Sequence, residues 1–491
     1  MALGAAPAAL GGSKGKTHAQ RGARRKSAAA ESTFLLLLTR GPVIRLVRRS
    51  LTALVSTLAV PAVAAYSAAQ APAGAAPTTV IRAARMVDPK SGNVMQNPVV
   101  VVQGGRITSV GANAAIPAGA KVIDLGSLTL LPGLIDAHTH LLQNYRGELG
   151  GDDPNMILTV TTMSTAKRAL LGAKMGREDL EAGITTVRDL GNSGFGGDVA
   201  LRDAINAGWV VGPRIRAATR ALAAAGGQFG TVQPETQKII EQEYAVVSTP
   251  DEARRAVRQA FYDGADLIKV IVNTGPRVVS LDEMKAIVEE AHRVGRTVAA
   301  HAIGDTATRI AAEAGVTSIE HAYTVPDEVL RMMAQKGIYL VPTDYPAEFY
   351  VDAFASSSLT PEQKRQQLEG AKGFAQSSAA RLMRAVRAGV KVAFGSDEYY
   401  DTPGRTRGQA SLLTLQAYQE AGMAPLEVLR AATVNSATLL GWGDRIGSIE
   451  AGKLADIIAV DGDPLKDVKD LQHVRFVMKG GEIIKGAVAK E

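Results

Sequence analysis

The chain has 491 residues, of which 46% are apolar and 21% are charged, and it contains no cysteine. These proportions predict a soluble globular protein of two or three domains and exclude a wholly disordered, collagen-like or multi-span membrane chain. The lack of cysteine excludes disulfides, thiolate metal sites and cysteine nucleophiles, so any bound metal ion must have histidine and oxygen ligands. The net charge of +7 would by itself suggest a nucleic-acid partner.

The basic charge is confined to the first part of the chain. Residues 1–70 hold ten Lys and Arg residues and one acidic residue, whereas residues 71–491 hold 45 basic and 47 acidic residues. The net charge of residues 71–491 is therefore −2. Nucleic-acid binding is an alternative only while the basic segment is attached, and we expect no nucleic-acid partner for the mature protein.

Residues 1–77 have the layout of a targeting segment. Arginines at positions 45, 48 and 49 precede the mostly apolar run 51–65, which ends in Ala62-Val63-Ala64. This order is typical of a secretory signal peptide, and the run is shorter than the roughly 20 residues that span a bilayer. An uncleaved anchor is the alternative. We expect residues 1–77 to be a leader, a signal peptide and a disordered linker, and the mature protein to be periplasmic or secreted without stable membrane association.

Two similar hairpins are predicted near the two ends of the remaining chain. Residues 99–103 and 106–110 flank the pair Gly104-Gly105, and residues 474–479 and 482–485 flank Gly480-Gly481. A two-residue glycine turn between alternating apolar runs is a signal for a β-hairpin. We therefore expect residues 78–130 and 444–491 to form one small β-sandwich domain from both chain termini.

Between these segments, short apolar runs alternate with helical patterns. Eight runs are strand candidates: 134–138, 185–190, 214–219, 266–272, 297–301, 318–321, 338–342 and 392–397. Helix-type apolar spacing occurs in residues 251–262, 281–294 and 362–387. The alternation predicts an α/β fold in which residues 131–443 form a (β/α)8 TIM barrel. A doubly wound sheet is the alternative, but residues 136–140 after the first strand lack its Gly-x-Gly-x-x-Gly pattern.

Four of the seven histidines fall at the carboxyl ends of predicted strands. They are His138, His140, His301 and His321, and this edge is where a TIM barrel places its catalytic residues. A single such histidine is more often a packed core residue, but four at one edge are difficult to assign to packing. Asp397 ends the eighth run, where its ordinary role would be a helix N-cap. Together these residues predict a metal centre.

Lys269 lies inside the apolar run 267–272, where an unpaired ammonium is strongly disfavoured. One interpretation is a buried ion pair with a carboxylate such as Asp397. The other is a lysine whose pKa is low enough for it to react with carbon dioxide, giving a carbamate whose two oxygens bridge two cations. Both interpretations remain open at this point.

These residues resemble those of the metal-dependent amidohydrolase superfamily. Residues 132–140 are similar to its first-strand signature, and Lys269, His301, His321 and Asp397 match its fourth, fifth, sixth and eighth strand positions in order. The resemblance implies that His138, His140 and Asp397 hold one divalent cation and that His301 and His321 hold a second. It further implies that carboxylated Lys269 and a hydroxide bridge the two cations, with Asp397 as the catalytic proton carrier. We expect two zinc ions, although manganese, iron or cobalt would also suit these ligands.

Residues 183–191, 320–323 and 226–227 are similar to the carboxypeptidase-like, Xaa-Pro dipeptidase-type subgroup that includes ochratoxin-degrading amidohydrolases. This likeness implies hydrolysis of a small amide beside a free carboxylate, in dipeptide-like or N-acyl amino acid substrates with an apolar or aromatic C-terminal residue, including ochratoxin A. Tyr323 is a candidate for binding that carboxylate, or else a core tyrosine. The likeness also implies a homo-oligomer, with an octamer as one form. Gln228 and Asn273 depart from the subgroup's usual residues, which puts the side-chain preference in doubt.

Two further alternatives remain. A cyclic amidase or deaminase of the imidazolonepropionase type would commonly use one metal ion and would lack a lysine at position 269. A catalytically inactive binding or scaffold protein would be expected to have lost at least one of the six ligands.

Overall fold

Both ends of the described chain contribute to two β-sheets. The computed structural model describes residues 77–354 and 360–486, and the predicted signal peptide lies outside this part. We number the strands and helices in chain order. One sheet has the order β5-β4-β1-β6, with β1 (Thr78–Arg82), β4 (Pro98–Gln103), β5 (Arg106–Ala112) and β6 (Lys121–Asp124). The other has the order β21-β20-β19-β7-β2-β3, with β2 (Arg85–Val87), β3 (Val94–Gln96), β7 (Thr129–Pro132), β19 (Ile457–Val460), β20 (Val474–Lys479) and β21 (Glu482–Lys485).

The two predicted glycine-turn hairpins are confirmed as the antiparallel pairs β4–β5 and β20–β21. Side chains from both sheets bury one shared apolar cluster, which includes Ile81, Val100, Ile457 and Phe476. Because strands alternate their side chains between two faces, each sheet buries one face in this cluster. The opposite face of the sheet that contains β19 and β20 is also buried, since Ile458 and Val477 belong to the largest apolar cluster of the described residues.

The middle of the chain forms parallel strands. One sheet has the order β10-β9-β8, with β8 (Leu134–Thr139), β9 (Ile184–Asp189) and β10 (Arg214–Ala217). A six-stranded sheet has the order β12-β11-β13-β16-β17-β18, with β11 (Ala221–Ala223), β12 (Tyr244–Val246), β13 (Ile268–Ile271), β16 (Val298–Ala302), β17 (Ser318–His321) and β18 (Tyr339–Val341). A short hairpin, β14 (Asn273–Thr274) and β15 (Arg277–Val278), follows β13. The predicted α/β class is confirmed.

Two predicted strands differ from the structure. The run 214–219 ends as a strand at Ala217 because Thr219 has a positive φ of 60°, a conformation that breaks an extended strand. The run 392–397 is not a regular strand; Val392 forms a single parallel bridge to Leu340. The backbone N–H groups of Ser396 and Asp397 instead donate to the Asp136 carboxylate and to the His138 carbonyl. The segment therefore follows β8 through individual hydrogen bonds.

Helices connect the parallel strands, and the three predicted ones are present. The helices are α1 (Asp152–Thr162), α2 (Thr165–Glu181), α3 (Gly197–Asn206), α4 (Gln237–Glu243), α5 (Pro250–Tyr262), α6 (Leu281–His292), α7 (Gly304–Ala314), α8 (Asp327–Lys336), α9 (Ala347–Ala353), α10 (Pro361–Arg387), α11 (Arg407–Ser411), α12 (Leu413–Glu420), α13 (Pro425–Arg430) and α14 (Ser436–Leu439). Ser280 and Thr360 start α6 and α10 with reciprocal side-chain caps, which satisfy backbone donors at the helix start.

The largest apolar cluster joins the parallel strands to these helices. Val270 and Ile319 of the strands bury their side chains with Ile287 of α6 and Leu330 of α8. Alternation along β13 sends the neighbouring Lys269 to the opposite face of the sheet. None of the described helices has the length and apolar character needed to cross a membrane.

Gly133, between β7 and β8, lies in close contact with Thr185 of β9. A Cβ atom at this position would lie 2.1 Å from Thr185 Oγ1 and 2.8 Å from Thr185 Cβ, and Thr185 is itself buried. We expect Gly133→Ala to lower the free energy of unfolding by about 1–3 kcal/mol through overpacking.

The matched control is Gly370→Ala in α10, where a Cβ would meet no atom within 4 Å. This substitution should raise the free energy of unfolding by about 0.5–1 kcal/mol, because alanine favours a helix interior over glycine. Urea unfolding of both variants provides the comparison. Equal effects of the two substitutions would contradict the close approach at Gly133.

Candidate metal centre

The end of β8 and the residue Asp397 form a compact set of atoms that could hold a metal ion. His138 Nε2 and His140 Nε2 lie 3.3 Å and 3.2 Å from the same oxygen, Asp397 Oδ1. One ligand atom from each of the three residues can be chosen so that all lie within 4.8 Å of one another. His138 and His140 share an orientation because they are two residues apart on a strand. Two imidazoles and one carboxylate are a suitable donor set for a divalent cation such as zinc.

The other three predicted ligands adjoin this set. Lys269 Nζ lies 3.4 Å from His138 Nε2. The His321 ring centroid is 5.2 Å from that of His138 and 4.6 Å from that of His301. The structure thus brings all six residues together, at the carboxyl ends of β8, β16 and β17, at Lys269 within β13 and at Asp397.

Two of the six residues have an unusual backbone conformation. His321 and Asp397 have positive φ values of 66° and 53°, which non-glycine residues rarely adopt. Arg381 of α10 donates to the carbonyl oxygen of His321 and pairs with the buried carboxylate of Asp344. The backbone of Asp397 is fixed by its 2.7 Å hydrogen bond to the His138 carbonyl. Surrounding contacts therefore hold these backbones in place, as is common at functional sites.

Burial sets the protonation of the predicted ligands. It lowers the pKa of His138 and His321 well below the usual value and that of His301 to about 3, with nearby Lys269 adding to the effect on His138 and His301. Burial alone would raise the pKa of Asp397, but His138 and His140 outweigh it and hold the pKa at about 2. Burial lowers the pKa of Lys269 to about 8. Neutral imidazoles and an ionised carboxylate are the forms that bind metal ions, so these residues fit a metal centre.

Outer contacts orient the imidazoles through their Nδ1 atoms. His138 Nδ1 lies 2.8 Å from Glu320 Oε2, His140 Nδ1 lies 2.9 Å from the Gly191 carbonyl, and His321 Nδ1 lies 2.8 Å from Thr343 Oγ1. A carbonyl or carboxylate oxygen only accepts hydrogen bonds, so Nδ1 of His138 and of His140 carries the hydrogen. The Nε2 atom of each of these two rings is then left with its lone pair for a cation.

Sequence reasoning assigned no function to Arg188 or Glu320, although both lie in segments that carry the family resemblance. Both side chains are fully buried, and Arg188 Nη2 donates to Glu320 Oε1 at 2.9 Å. Each is a charged residue within a buried strand, and this is the sequence signal that could have identified them, as it identified Lys269.

A second cluster of buried charged side chains includes Glu398, the residue that follows Asp397. Arg407 pairs with Asp179 and interacts with Asp136 and Glu398. Burial raises the pKa of Asp136 to about 6, of Asp179 to about 7 and of Glu398 to about 8. One guanidinium cannot neutralise three buried carboxylates, so the folded protein keeps protons on these groups to a higher pH than the unfolded chain does.

This cluster gives a pH dependence with a defined sign. Because the folded state binds more protons than the unfolded state between the unfolded and folded pKa values, the contribution of this cluster to stability should fall as pH rises from about 4 to 8. We expect Asp179→Asn to flatten that decline in urea unfolding measured at several pH values. Asp251→Asn, at a side chain that is 84% exposed, is the control and should leave the slope unchanged. An unaltered slope in Asp179→Asn would contradict the raised pKa.

Aromatic side chains pack against the predicted metal ligands on one side. Tyr399 packs edge-on against His140 with ring centroids 5.7 Å apart, and Tyr145 and Tyr400 pack on Tyr399. Tyr323 stacks on His321 and contacts Phe374. The Tyr323 hydroxyl exposes less than 1 Å², and Arg381 lies 4.9 Å above its ring. Tyr323 therefore adjoins the predicted metal ligands, while its hydroxyl is buried inside the protein.

Comparison with known proteins places the chain in a family. The model of the amidohydrolase family matches residues 129–488. Ochratoxinase of Aspergillus niger is 32% identical over 448 residues, covering 84% of this chain and 87% of that protein. Imidazolonepropionase of Geobacillus kaustophilus (strain HTA426) is 26% identical over 427 residues, covering 80% of this chain and 91% of that protein. A solved Xaa-Pro dipeptidase with bound methionine is 31% identical, with a TM-score of 0.71 over 83% of this chain and 100% of that chain. The chain belongs to the amidohydrolase family, in the subgroup of ochratoxinase and Xaa-Pro dipeptidase, and is a hydrolase that acts on amide bonds.

Proposed function

We propose that this protein is a binuclear-metal amidohydrolase that cleaves dipeptide-like or N-acyl amino acid substrates beside a free carboxylate. The observation that carries the proposal is the convergence of His138, His140 and Asp397 with Lys269 Nζ only 3.4 Å from His138 Nε2. A lysine among neutral imidazoles is unfavourable as an ammonium. A carbamate on the same nitrogen would be an anionic ligand, and its two oxygens would reach two cations.

Each predicted ligand then has an assigned place. His138, His140 and Asp397 would hold one cation, and His301 and His321 would hold the other, with carboxylated Lys269 between them. Zinc suits these imidazole and carboxylate donors. Bound divalent cations would lower the pKa of water and polarise the carbonyl group of the amide.

Asp397 moves the proton during hydrolysis. Its carboxylate is ionised at neutral pH because its pKa is held at about 2 by His138 and His140 against the effect of burial. It accepts a proton as the water oxygen bonds to the carbonyl carbon, and it returns that proton to the nitrogen as the C–N bond breaks. One amide and one water thus yield one carboxylic acid and one amine.

The aromatic surroundings support a substrate with an apolar or aromatic side chain. Half of the twenty Phe and Tyr residues of the chain lie in a single cluster of side chains. Tyr399 of this cluster adjoins His140, and Phe374 adjoins Tyr323, which stacks on His321. Aromatic rings bury large areas of an aromatic ligand and add a favourable pair energy. The names of the two relatives, ochratoxinase and Xaa-Pro dipeptidase, agree with such substrates, and ochratoxin A is our first candidate.

We also propose that the parallel strands close into a (β/α)8 barrel. Hydrogen bonds between segment 391–394 and both β18 and β8 support this closure, because Leu340 N donates to Lys391 O and Ala137 N donates to Phe394 O. On the other side, Asp266 N, shortly before β13, donates to the carbonyl of Ala217, the last residue of β10. In such a barrel the ligands lie at the carboxyl ends of the strands, where barrel enzymes carry their active sites.

A substrate panel tests the proposed function. Xaa-Phe and Xaa-Pro dipeptides, N-acyl amino acids and ochratoxin A would each be compared with the matching compound whose terminal carboxylate is amidated, with and without added zinc. We expect metal-dependent turnover of the free acids and much slower turnover of the amidated compounds. Turnover of imidazolone-type cyclic amides instead would support the imidazolonepropionase alternative. No metal-dependent turnover on the panel would contradict the proposal.

A further inference from the structure

Three buried polar side chains contact the carboxylate of Glu320, which lies on the same side of the sheet as Lys269. Its Oε2 atom lies 2.8 Å from His138 Nδ1, and its Oε1 atom accepts from Arg188 Nη2 at 2.9 Å. The Ser318 hydroxyl also donates to Oε1. Glu320 is completely buried and Arg188 is 1% exposed. Arg188 supplies the opposite charge that a buried carboxylate needs.

Arg188 is fixed in turn by neighbouring strands. Its Nη1 atom donates to Ser318 Oγ at 3.1 Å, and its Nε atom donates to the Ala137 carbonyl of β8. Because its donors are directed at three separate acceptors, the guanidinium cannot rotate away from Glu320 without losing several bonds. Glu320 Oε1 therefore stays hydrogen-bonded to Arg188, and Glu320 Oε2 is the oxygen that faces His138.

We propose that Glu320 is a positioning residue that fixes the orientation and tautomer of His138 for metal binding, with Arg188 fixing Glu320. This inference rests on the proposed binuclear function. A carboxylate at Oε2 can only accept, so it keeps the hydrogen on Nδ1 and directs the Nε2 lone pair toward Asp397 and Lys269.

Glu320→Gln reverses this pattern with almost no change in shape. Arg188 only donates, so the amide oxygen must face Arg188 and the amide NH2 must face His138. His138 Nδ1 must then accept, and the ring hydrogen moves to Nε2, where it opposes a cation. Glu320→Asp retains a carboxylate and therefore the original tautomer. The matched control is Glu290→Gln, which removes the carboxylate of the Arg258–Glu290 ion pair between α5 and α6, away from the four histidines of the site.

The test is equilibrium dialysis of the purified zinc protein against a competing chelator, with the zinc-to-protein ratio as the readout. We expect Glu320→Gln to weaken zinc binding at one of the two sites by about 10–100-fold. Glu320→Asp should lower the zinc affinity by a smaller factor, and Glu290→Gln should bind zinc with the affinity of the wild type. Two zinc ions bound by Glu320→Gln with wild-type affinity would overturn the inference while leaving the proposed function intact. Fewer than two zinc ions in the wild type would instead overturn the proposed binuclear function.

A second measurement does not depend on the folding of Glu320→Gln. Histidine ring nitrogens of the zinc-loaded wild type and of Glu320→Asp would be observed by ¹⁵N nuclear magnetic resonance, with the His138 signals assigned by their loss in His138→Gln. We expect His138 to carry its hydrogen on Nδ1 and this signal to shift in Glu320→Asp. A hydrogen on Nε2, or an Nδ1 signal unaffected by Glu320→Asp, would overturn the inference.

Discussion

Replacing Asp397 by Asn is expected to lower kcat for amide hydrolysis by about 10³-fold, within the range of about 10²–10⁴ for loss of a general acid–base group. The physical reason is that the side-chain amide of asparagine, unlike the Asp397 carboxylate, cannot accept the proton from water and return it to the leaving nitrogen of the substrate. Asn also weakens the cation site, because a neutral oxygen replaces the carboxylate oxygen that lies 3.3 Å from His138 Nε2 and 3.2 Å from His140 Nε2. Steady-state kinetics on the best panel substrate measures the effect.

The control for Asp397→Asn is metal content at saturating zinc. If the variant is loaded to the wild-type ratio and still loses activity, the loss belongs to proton transfer. Activity within tenfold of the wild type at equal zinc content would contradict the role of Asp397.

Replacing Lys269 by Met should leave at most one tightly bound cation and lower kcat/KM by more than 100-fold. Loss of an outer-shell partner typically costs 10–100-fold, and the proposed carbamate is a direct ligand of both cations, so its loss should cost more. Metal analysis after dialysis and steady-state kinetics give the two readouts. The carbamate itself should appear as a ¹³C signal in wild type prepared with labelled bicarbonate and should be absent from the variant.

Lys479→Met is the matched control for this substitution. Lys479 lies in β20 and donates to the Gly212 carbonyl at 2.6 Å. Partial burial lowers its pKa to about 8, as full burial does for Lys269, so the control removes a half-buried lysine of similar pKa away from the four site histidines. Full zinc content and the labelled signal should persist in Lys479→Met. A Lys269→Met variant with two tightly bound zinc ions would show that Lys269 is an ordinary buried ammonium.

The residues of the site could be found from the sequence because each one ends or interrupts an apolar run. His138, His301 and His321 follow buried stretches of parallel strands, and Lys269 is a charge within one. Parallel strands that share an orientation bring such residues to one edge. The structure brings them together, and their roles as ligands remain predictions that the variants above test.

The contacts that orient those residues could not be predicted in the same way. Glu320 and His138 are 182 positions apart, and no local pattern pairs them. The break after Ala217 and the irregular segment 392–397 were also missed, because their apolar character is that of a strand. The positive φ values of Thr219 and Asp397 are stabilised by tertiary hydrogen bonds, which sequence periodicity does not report.

Zinc analysis combined with anomalous diffraction tests the central claim most directly, since it reports the number and position of cations in a single crystal. The proposal predicts two anomalous peaks, one among His138, His140 and Asp397 and one at His301 and His321, with density for a carbamate on Lys269 between them. A single peak, or two peaks with an unmodified Lys269 amine directed away from both, would contradict it.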